Sequence, residues 1–485
     1  MPTQFGLRKV HKDGKGRCVF GRRGRQLLPG QIIWLGMLAL CGQVLAGQEP
    51  STPASEVVVP RASVPLLIRI QLPGEQEVYK AGDIVELTEK ADASAGSSGT
   101  TELPPPIKGW VLPGAGPAGQ PECSRFELLA VIPPSKPTGE TSIDQGLPEK
   151  TGEKPSIPVR RFAVGTPAQV QRMLTHPSEV AQGPEVDRGG FSFTLDQWRL
   201  ILWENNRAVL VYNHSPVTAG WVPENDSRRT RACYIHPVFG LDGEVLTDDF
   251  PKDHYHHHGI FWTWPHIQIE GVEYDLWADR GIRQRFRQWL GLWAGPLGAR
   301  FSVENGWYVG DRLVVIERIW VTVWPTLEKG RFVDFELFFQ PQGQPVTLWG
   351  APGKSYGGMT MRFRVRPDRP VKITVPDGLT SEDLLETRLR WADLTSQFGE
   401  GTEESGATLF VRPDHPNFPP TWLTRHYGPL CVGWPGVEPR TLPAGETVRL
   451  PYRVWIHRDW PPVEGIEELA FALSLEAQAQ VATSR

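Results

Sequence analysis

The chain has 485 residues, 40% hydrophobic, 22% charged and 10% aromatic, a balance that excludes wholesale disorder. Only one apolar run approaches membrane length, which excludes a multi-span membrane protein. The formal charge of −4 gives no sign of a nucleic-acid partner, and 50 Gly with 46 Pro favour short strands joined by turns over a helical bundle.

Residues 1–47 read as a targeting segment. Eight basic residues from Arg8 to Arg25 stand against Asp13, the apolar stretch Ile32–Cys41 follows, and Val44-Leu-Ala46 offers short side chains for cleavage. That is the order of a secretory signal peptide. The apolar stretch is short for a spanning helix. The expectation is therefore a periplasmic or secreted protein with no stable membrane span after processing. Leu40 before Cys41 is too large for a lipidation signal. Removing eight basic and one acidic residue leaves 43 Lys and Arg against 54 Asp and Glu, a net charge of −11. Cys123, Cys233 and Cys431 remain, far apart and without CxxC spacing, so a cysteine metal site is not expected. They allow one disulfide with one free thiol and do not fix its pairing.

Residues 48–165 are rich in Pro and Gly, with strand-like pieces at Leu66–Leu72, Asp83–Leu87 and Phe126–Ile132. They read as a small β module or a partly disordered arm. A linker at 166–189 contains a short helical candidate, Pro167–Leu174. From Gly190 the texture changes. Strand candidates recur at Phe191–Leu195, Ala208–Tyr212, Ile260–Trp264, Trp307–Val309, Leu313–Val323, Phe332–Phe339, Met359–Val365, Val371–Val375, Thr408–Val411 and Val448–Ile456. The alternation in Arg331-Phe-Val-Asp-Phe-Glu-Leu-Phe338 predicts antiparallel sheet with one face buried. The fold class expected is all-β, one large sandwich over 190–464. Helix is expected only at Ile282–Leu290 and in the tail from Gly465.

The densest polar cluster is Thr247-Asp-Asp-Phe-Pro-Lys-Asp-His-Tyr-His-His-His-Gly259. In an extended segment His254, His256 and His258 project to one side and His257 to the other. Three imidazoles on one face suit Zn, Cu or Fe and equally suit proton transfer near neutral pH. Asp248, Asp249 and Asp253 are placed to orient the rings. Aromatic residues follow at once (Phe261, Trp262, Trp264), as in a pocket wall. Further polar motifs are Arg231-Ala-Cys-Tyr-Ile-His-Pro237, Lys354-Ser-Tyr-Gly-Gly-Met-Thr-Met-Arg362 and Asp414-His-Pro-Asn-Phe-Pro-Pro-Thr-Trp422. The Gly pair lets a ligand approach the backbone. Of 19 Trp, all but Trp34 and Trp110 lie between 198 and 460. Most belong in the core, and any exposed indole offers a face to a sugar ring.

The order Tyr-Ile-His-Pro (234–237), Asp-His-Tyr-His-His (253–257) with Gly259, Tyr-Gly-Gly (356–358) with Arg362, and Asp-His-Pro-Asn (414–417) with Trp422 resembles the DUF6807 family, also labelled "methane oxygenase PmoA" or PmoA-like. The likeness spans roughly 190–460. The family commonly has Arg where this chain has His258. The resemblance implies a galactose-mutarotase-like β-supersandwich, a fold whose members bind sugars across a concave sheet. The oxygenase label is set aside, because methane monooxygenase subunits are membrane-embedded. In mutarotases a His acid works with a carboxylate base; Glu317 and Glu336 qualify here only by residue type.

These readings converge on an exported carbohydrate-active enzyme: an epimerase, lyase or hydrolase acting on a sugar or sugar-derived molecule. Asp253, His254, His256 and His257 form the expected catalytic group. Tyr234, His236, Lys354, Tyr356, Arg362, Asp414, His415 and Trp422 form the expected sugar-contacting set. His254, His256 and His258 are the divalent-metal candidates. Two alternatives stay open: a carbohydrate-binding protein without catalysis, and a metal-dependent oxidoreductase.

Overall fold

The computed structural model describes residues 56–72, 83–90, 105–115, 126–135, 159–164 and 190–481. The targeting segment, the 166–189 linker with its helical candidate, and Cys123 lie outside them. The described chain is almost entirely antiparallel β, as the punctuation and alternation require.

Two nine-stranded sheets form the body. In spatial order the first runs Thr387–Arg388, Thr421–Thr424, Pro429–Gly433, Gly358–Arg362, Ile260–Thr263, Tyr234–Val238, Arg207–Asn213, Arg199–Glu204, Phe191–Leu195. The second runs Arg283–Gly295, Gly298–Val309, Arg312–Val323, Arg331–Pro341, Val448–Arg458, Ser405–Val411, Trp391–Ser396, Val371–Val375, Gly378–Thr380. One apolar core joins them, with Tyr212, Ile235, Trp262 and Met361 from the first meeting Phe301, Trp307, Phe335 and Tyr452 from the second. Trp262, Trp264, Trp307, Trp320, Trp324, Trp391, Trp422 and Trp434 are fully buried, so most indoles serve packing. Among the described residues no helix is long and apolar enough to cross a membrane.

A third sheet has seven strands, in the order Leu66–Gln71, Phe126–Ile132, Ile107–Pro113, Ile84–Glu89, Val159–Val164, Glu56–Pro60, Gln480–Val481. It lies on the second sheet together with the helix Val463–Glu476: Leu67, Trp110, Leu129, Ile466 and Leu473 pack on Phe332, Phe410 and Trp455. This corrects the one-sided burial read from the alternation. Arg331–Pro341 is buried on both faces, with Val333, Phe335 and Leu337 in the inter-sheet core. Asp334 and Glu336 point the other way, under the third sheet, where guanidinium groups meet them. Arg453 grips Asp334 through Nε at 2.5 Å and Nη2 at 3.0 Å and reaches Glu476 of the helix at 2.9 Å. Arg69 bridges Glu336 and Glu127, the latter at 3.1 Å. Burial pushes the Asp334 carboxyl up, but Arg453 outweighs it and holds the group below its ordinary range.

Two further expectations are corrected. Ile282–Leu290 is not helical; it enters the edge strand Arg283–Gly295, whose pairing shifts register at Phe286/Gln288 and Trp289/Gly291. Cys233 and Cys431 are buried free thiols rather than disulfide partners.

Removing one partner of a buried, bidentate pair strands the other charge. Asp334→Ala should therefore lower unfolding free energy by about 3–5 kcal/mol in urea denaturation. Asp414 pairs with Arg449 at side-chain exposures of 44% and 34%, so Asp414→Ala should cost less than about 1 kcal/mol in the same assay.

Candidate functional site

Adjacent strands of the first sheet bring distant motifs together. Tyr234–Val238 pairs with Ile260–Thr263, which pairs with Gly358–Arg362, which pairs with Pro429–Gly433. Arg362 is opposite Pro429, so the turn carrying His426 and Tyr427 lies at the Arg362 end. The loop 247–259 closes beside them. Asp248 N–H donates to Arg362 O at 2.9 Å, and Arg362 N–H donates to Gly259 O at 2.8 Å. Gly259 is required there, since a Cβ would sit 2.0 Å from Ile235 O.

The histidine run is not extended. His254 N–H donates to Pro251 O at 3.0 Å and His257 N–H to His254 O at 2.9 Å, two successive turns that re-aim the rings. His254 stacks on His257 (centroids 4.7 Å, 3°) and on Tyr427 (4.9 Å, 4°). His258 turns inward. Its Nδ1 is 2.8 Å from Asp249 Oδ1, and its ring packs on Phe250 and Tyr234. The single face of His254, His256 and His258 therefore does not form. Among the described residues no group of three or more His, Cys, Asp or Glu is arranged to hold a metal ion.

A cleft of about 1350 Å³ opens beside this loop, lined among others by Trp221, His236, Asp248, Asp249, Asp253, Arg362 and Tyr427. Arg362 is the buried tie. Its Nη2 reaches Asp253 at 3.1 Å, its Nη1 lies 3.3 Å from His257 Nδ1, and its guanidinium sits 4.9 Å from the Tyr427 ring centre. Asp253 also meets His254 Nδ1 at 3.0 Å. Asp249 accepts from Tyr234 OH at 2.8 Å, and His236 Nδ1 is 3.0 Å from Thr247 Oγ1.

Electrostatics sort these groups. Burial raises the Asp249 carboxyl to about 6, against the opposing pull of His236 and the Tyr234 hydroxyl. Asp248 is raised in the same direction by burial. His236 is lowered by burial. His256 falls to about 3 through burial and the neighbouring cations, and His257 and His258 fall well below the ordinary imidazole value, chiefly by burial. The inner imidazoles are thus neutral near pH 7, while Asp249 has both protonation states available near neutrality.

Not every predicted residue reaches the cleft. Gly358 is at the strand end opposite Arg362 and pairs with Thr263, so Lys354 and Tyr356 emerge away from it. Lys354 is exposed, and Tyr356 packs on Trp277, 4.7 Å between ring centres. Trp277 in turn touches His256 and His257. Gly358 serves close strand approach rather than ligand access, because a Cβ would lie 2.5 Å from Val432 O. Thr421 pairs with Gly433, which puts the 414–417 loop at the end away from Tyr427. There Asp414 pairs with Arg449 at 2.6 Å and buried His415 meets Tyr452 OH at 3.1 Å. Trp422 is fully buried, its indole N–H donating to Leu389 O at 2.8 Å, and cannot stack on a sugar. Trp221 and Tyr427, 59% and 36% exposed, carry no motif and were missed; nothing in the local sequence distinguishes them from core aromatics.

A raised carboxyl has a defined linkage. Folded Asp249 at about 6 binds its proton more tightly than an unfolded Asp near 3.9. This group therefore costs stability as pH rises from about 4 to about 6. Unfolding free energy of the native protein, minus that of Asp249→Asn, should fall across that window by up to roughly 3 kcal/mol. Carboxyl NMR should show the Asp249 midpoint near 6.

No curated protein matches this sequence. Solved structures with partial likeness include a candidate kojibiose phosphorylase from the human microbiome (7% identity, TM-score 0.26, 55% of this chain and 29% of that one). A galactose mutarotase related enzyme from Lactobacillus acidophilus gives 9% identity, TM-score 0.26, and covers 55% and 97%. A 4-alpha-glucanotransferase from Thermococcus litoralis gives 8% identity, TM-score 0.18, and covers 60% and 41%. The chain thus spans less than a third of the phosphorylase, and at these scores the likenesses carry no argument about activity. The sequence itself matches DUF6807, a family of unknown function, over residues 202–470, more than half of the 485-residue chain, and the protein belongs to that family.

Proposed function

We propose that this protein is an exported carbohydrate-active enzyme performing acid–base chemistry on a sugar held in the cleft beside Arg362. One observation carries the reading: the cleft joins the His236 imidazole, lowered by burial, and the Asp249 carboxyl, raised to about 6, to the exposed Trp221 indole and the partly exposed Tyr427. Aromatic faces hold the C–H side of a sugar ring, and convergent charged groups hold its hydroxyls. A neutral imidazole accepts a proton while a protonated carboxyl donates one, the pairing that epimerisation, elimination and glycosidic hydrolysis all require. Arg362 and the neutral histidines behind it position Asp253 and Tyr427 at the wall rather than transferring protons. The basic segment and apolar run before residue 47 support export.

The test is turnover of a panel of mono- and oligosaccharides, with products followed by chromatography and mass spectrometry. His236→Gln and Asp249→Asn should each lower kcat by about a hundredfold or more while circular dichroism stays native. Trp221→Ala should chiefly raise KM. Sugar binding without turnover by the native protein would replace catalysis with recognition. Unchanged turnover in both acid–base variants would remove the cleft from the chemistry.

A further inference from the structure

We infer that the cleft selects an acidic sugar, with Arg364 meeting the ligand's carboxylate or sulfate. The inference rests on the carbohydrate reading above and names its substrate class. Four guanidinium groups line the wall from Arg362 to Arg369, and three of them are engaged. Arg362 is bonded to Asp253. Arg366 donates to Gly399 O at 3.0 Å, with exposed Glu400 at 3.7 Å. Arg369 donates to Gln397 Oε1 at 2.8 Å, with exposed Asp368 at 3.7 Å. The exposed Arg364 guanidinium has no hydrogen bond or ion pair among the described residues.

Its backbone, by contrast, is fixed. Arg364 N–H donates to Leu246 O at 2.8 Å, next to the Thr247–Phe363 bridge. An unpaired cation therefore hangs from a rigid strand extension into the same cleft as His236 and Asp248. Its charge is felt by both groups: it adds to the burial that lowers His236 and opposes the burial that raises Asp248. An exposed Arg on a convex surface is only a solvated charge. On a concave wall beside candidate acid–base groups, its planar fork matches the two oxygens of a carboxylate or sulfate. Arg366 and Arg369, held mostly by neutral acceptors, leave the rest of that wall positive and extend the complementarity to a neighbouring acidic residue of an oligosaccharide. The opposing carboxyls, Asp248 and Asp249, are the two whose protonation burial favours, which lessens their repulsion of an anionic ligand.

The experiment probes the full chain against three immobilised sets: uronic-acid oligosaccharides, sulfated oligosaccharides and neutral oligosaccharides. Binding should concentrate on one acidic set, which identifies the anion as carboxylate or sulfate, and should weaken as salt rises. Arg364→Ala should reduce that binding roughly tenfold or more; Arg364→Lys, which keeps charge but not the fork, should recover part of it. Neutral sugars bound as tightly as acidic ones, or acidic binding unchanged in Arg364→Ala, would overturn the inference and leave the carbohydrate reading standing. Failure to bind any of the three sets would overturn both.

Discussion

A charged carboxylate beneath a protein layer must meet a cation or give up its charge, and that rule fixes how the third sheet sits on the second. The period-two strand that sends Val333, Phe335 and Leu337 into the core sends Asp334 and Glu336 outward, where the third sheet covers them. Apolar contacts are non-directional and tolerate sliding; a bidentate Arg–carboxylate pair does not. Arg69 comes from the third sheet, Arg453 and Arg449 from the second, and Glu476 from the helix. Each pair is satisfied at one register only. The second sheet becomes a fixed platform, and the first sheet, with the cleft at its strand ends, is seated on it through the shared core.

Strand order then does for the cleft what chain order cannot. Residues 236 and 249, 362 and 427 come from three separate stretches of sequence, yet they sit at one end of four neighbouring strands. The same geometry separates residues that are close in sequence. Lys354 and Arg362 belong to one motif and leave opposite ends of one strand. His254 and His258 belong to one run, and two tight turns send one against Tyr427 and the other into the interior.

This explains what the sequence could and could not reveal. Phe191–Leu195 and Val371–Val375 were legible to the residue, because each alternates apolar and polar residues between turn signals. Ile282–Leu290 misled because Phe286, Trp289 and Leu290 recur at helical spacing; in the folded chain two bulges add residues to an edge strand and disguise its period. The loop at 247–259 and Arg362 were legible from density of polar residues. Trp221 and Tyr427 were not, since each is a lone residue whose neighbours come from other strands, and Arg364 differs from Arg362, Arg366 and Arg369 only in the partners that the fold gives them. Trp422 and His415 looked functional by type, and their roles are packing and a buried hydrogen bond.

The third sheet ends in two strands more than 400 residues apart in sequence. Gln480–Val481 zips onto Glu56–Pro60, and Val463–Glu476 lies over the adjoining surface. A nascent polypeptide therefore carries an unpaired side on the Glu56–Pro60 strand until residues 480–481 have been made. Its exposed amide row is a template for mispairing with other chains, and it is capped only when residue 481 has emerged. Loop closure across more than 400 residues adds little entropy beyond that of a shorter loop, so the delay is one of timing rather than of equilibrium. A chaperone that shields unpaired strands would act here until residues 480–481 arrive.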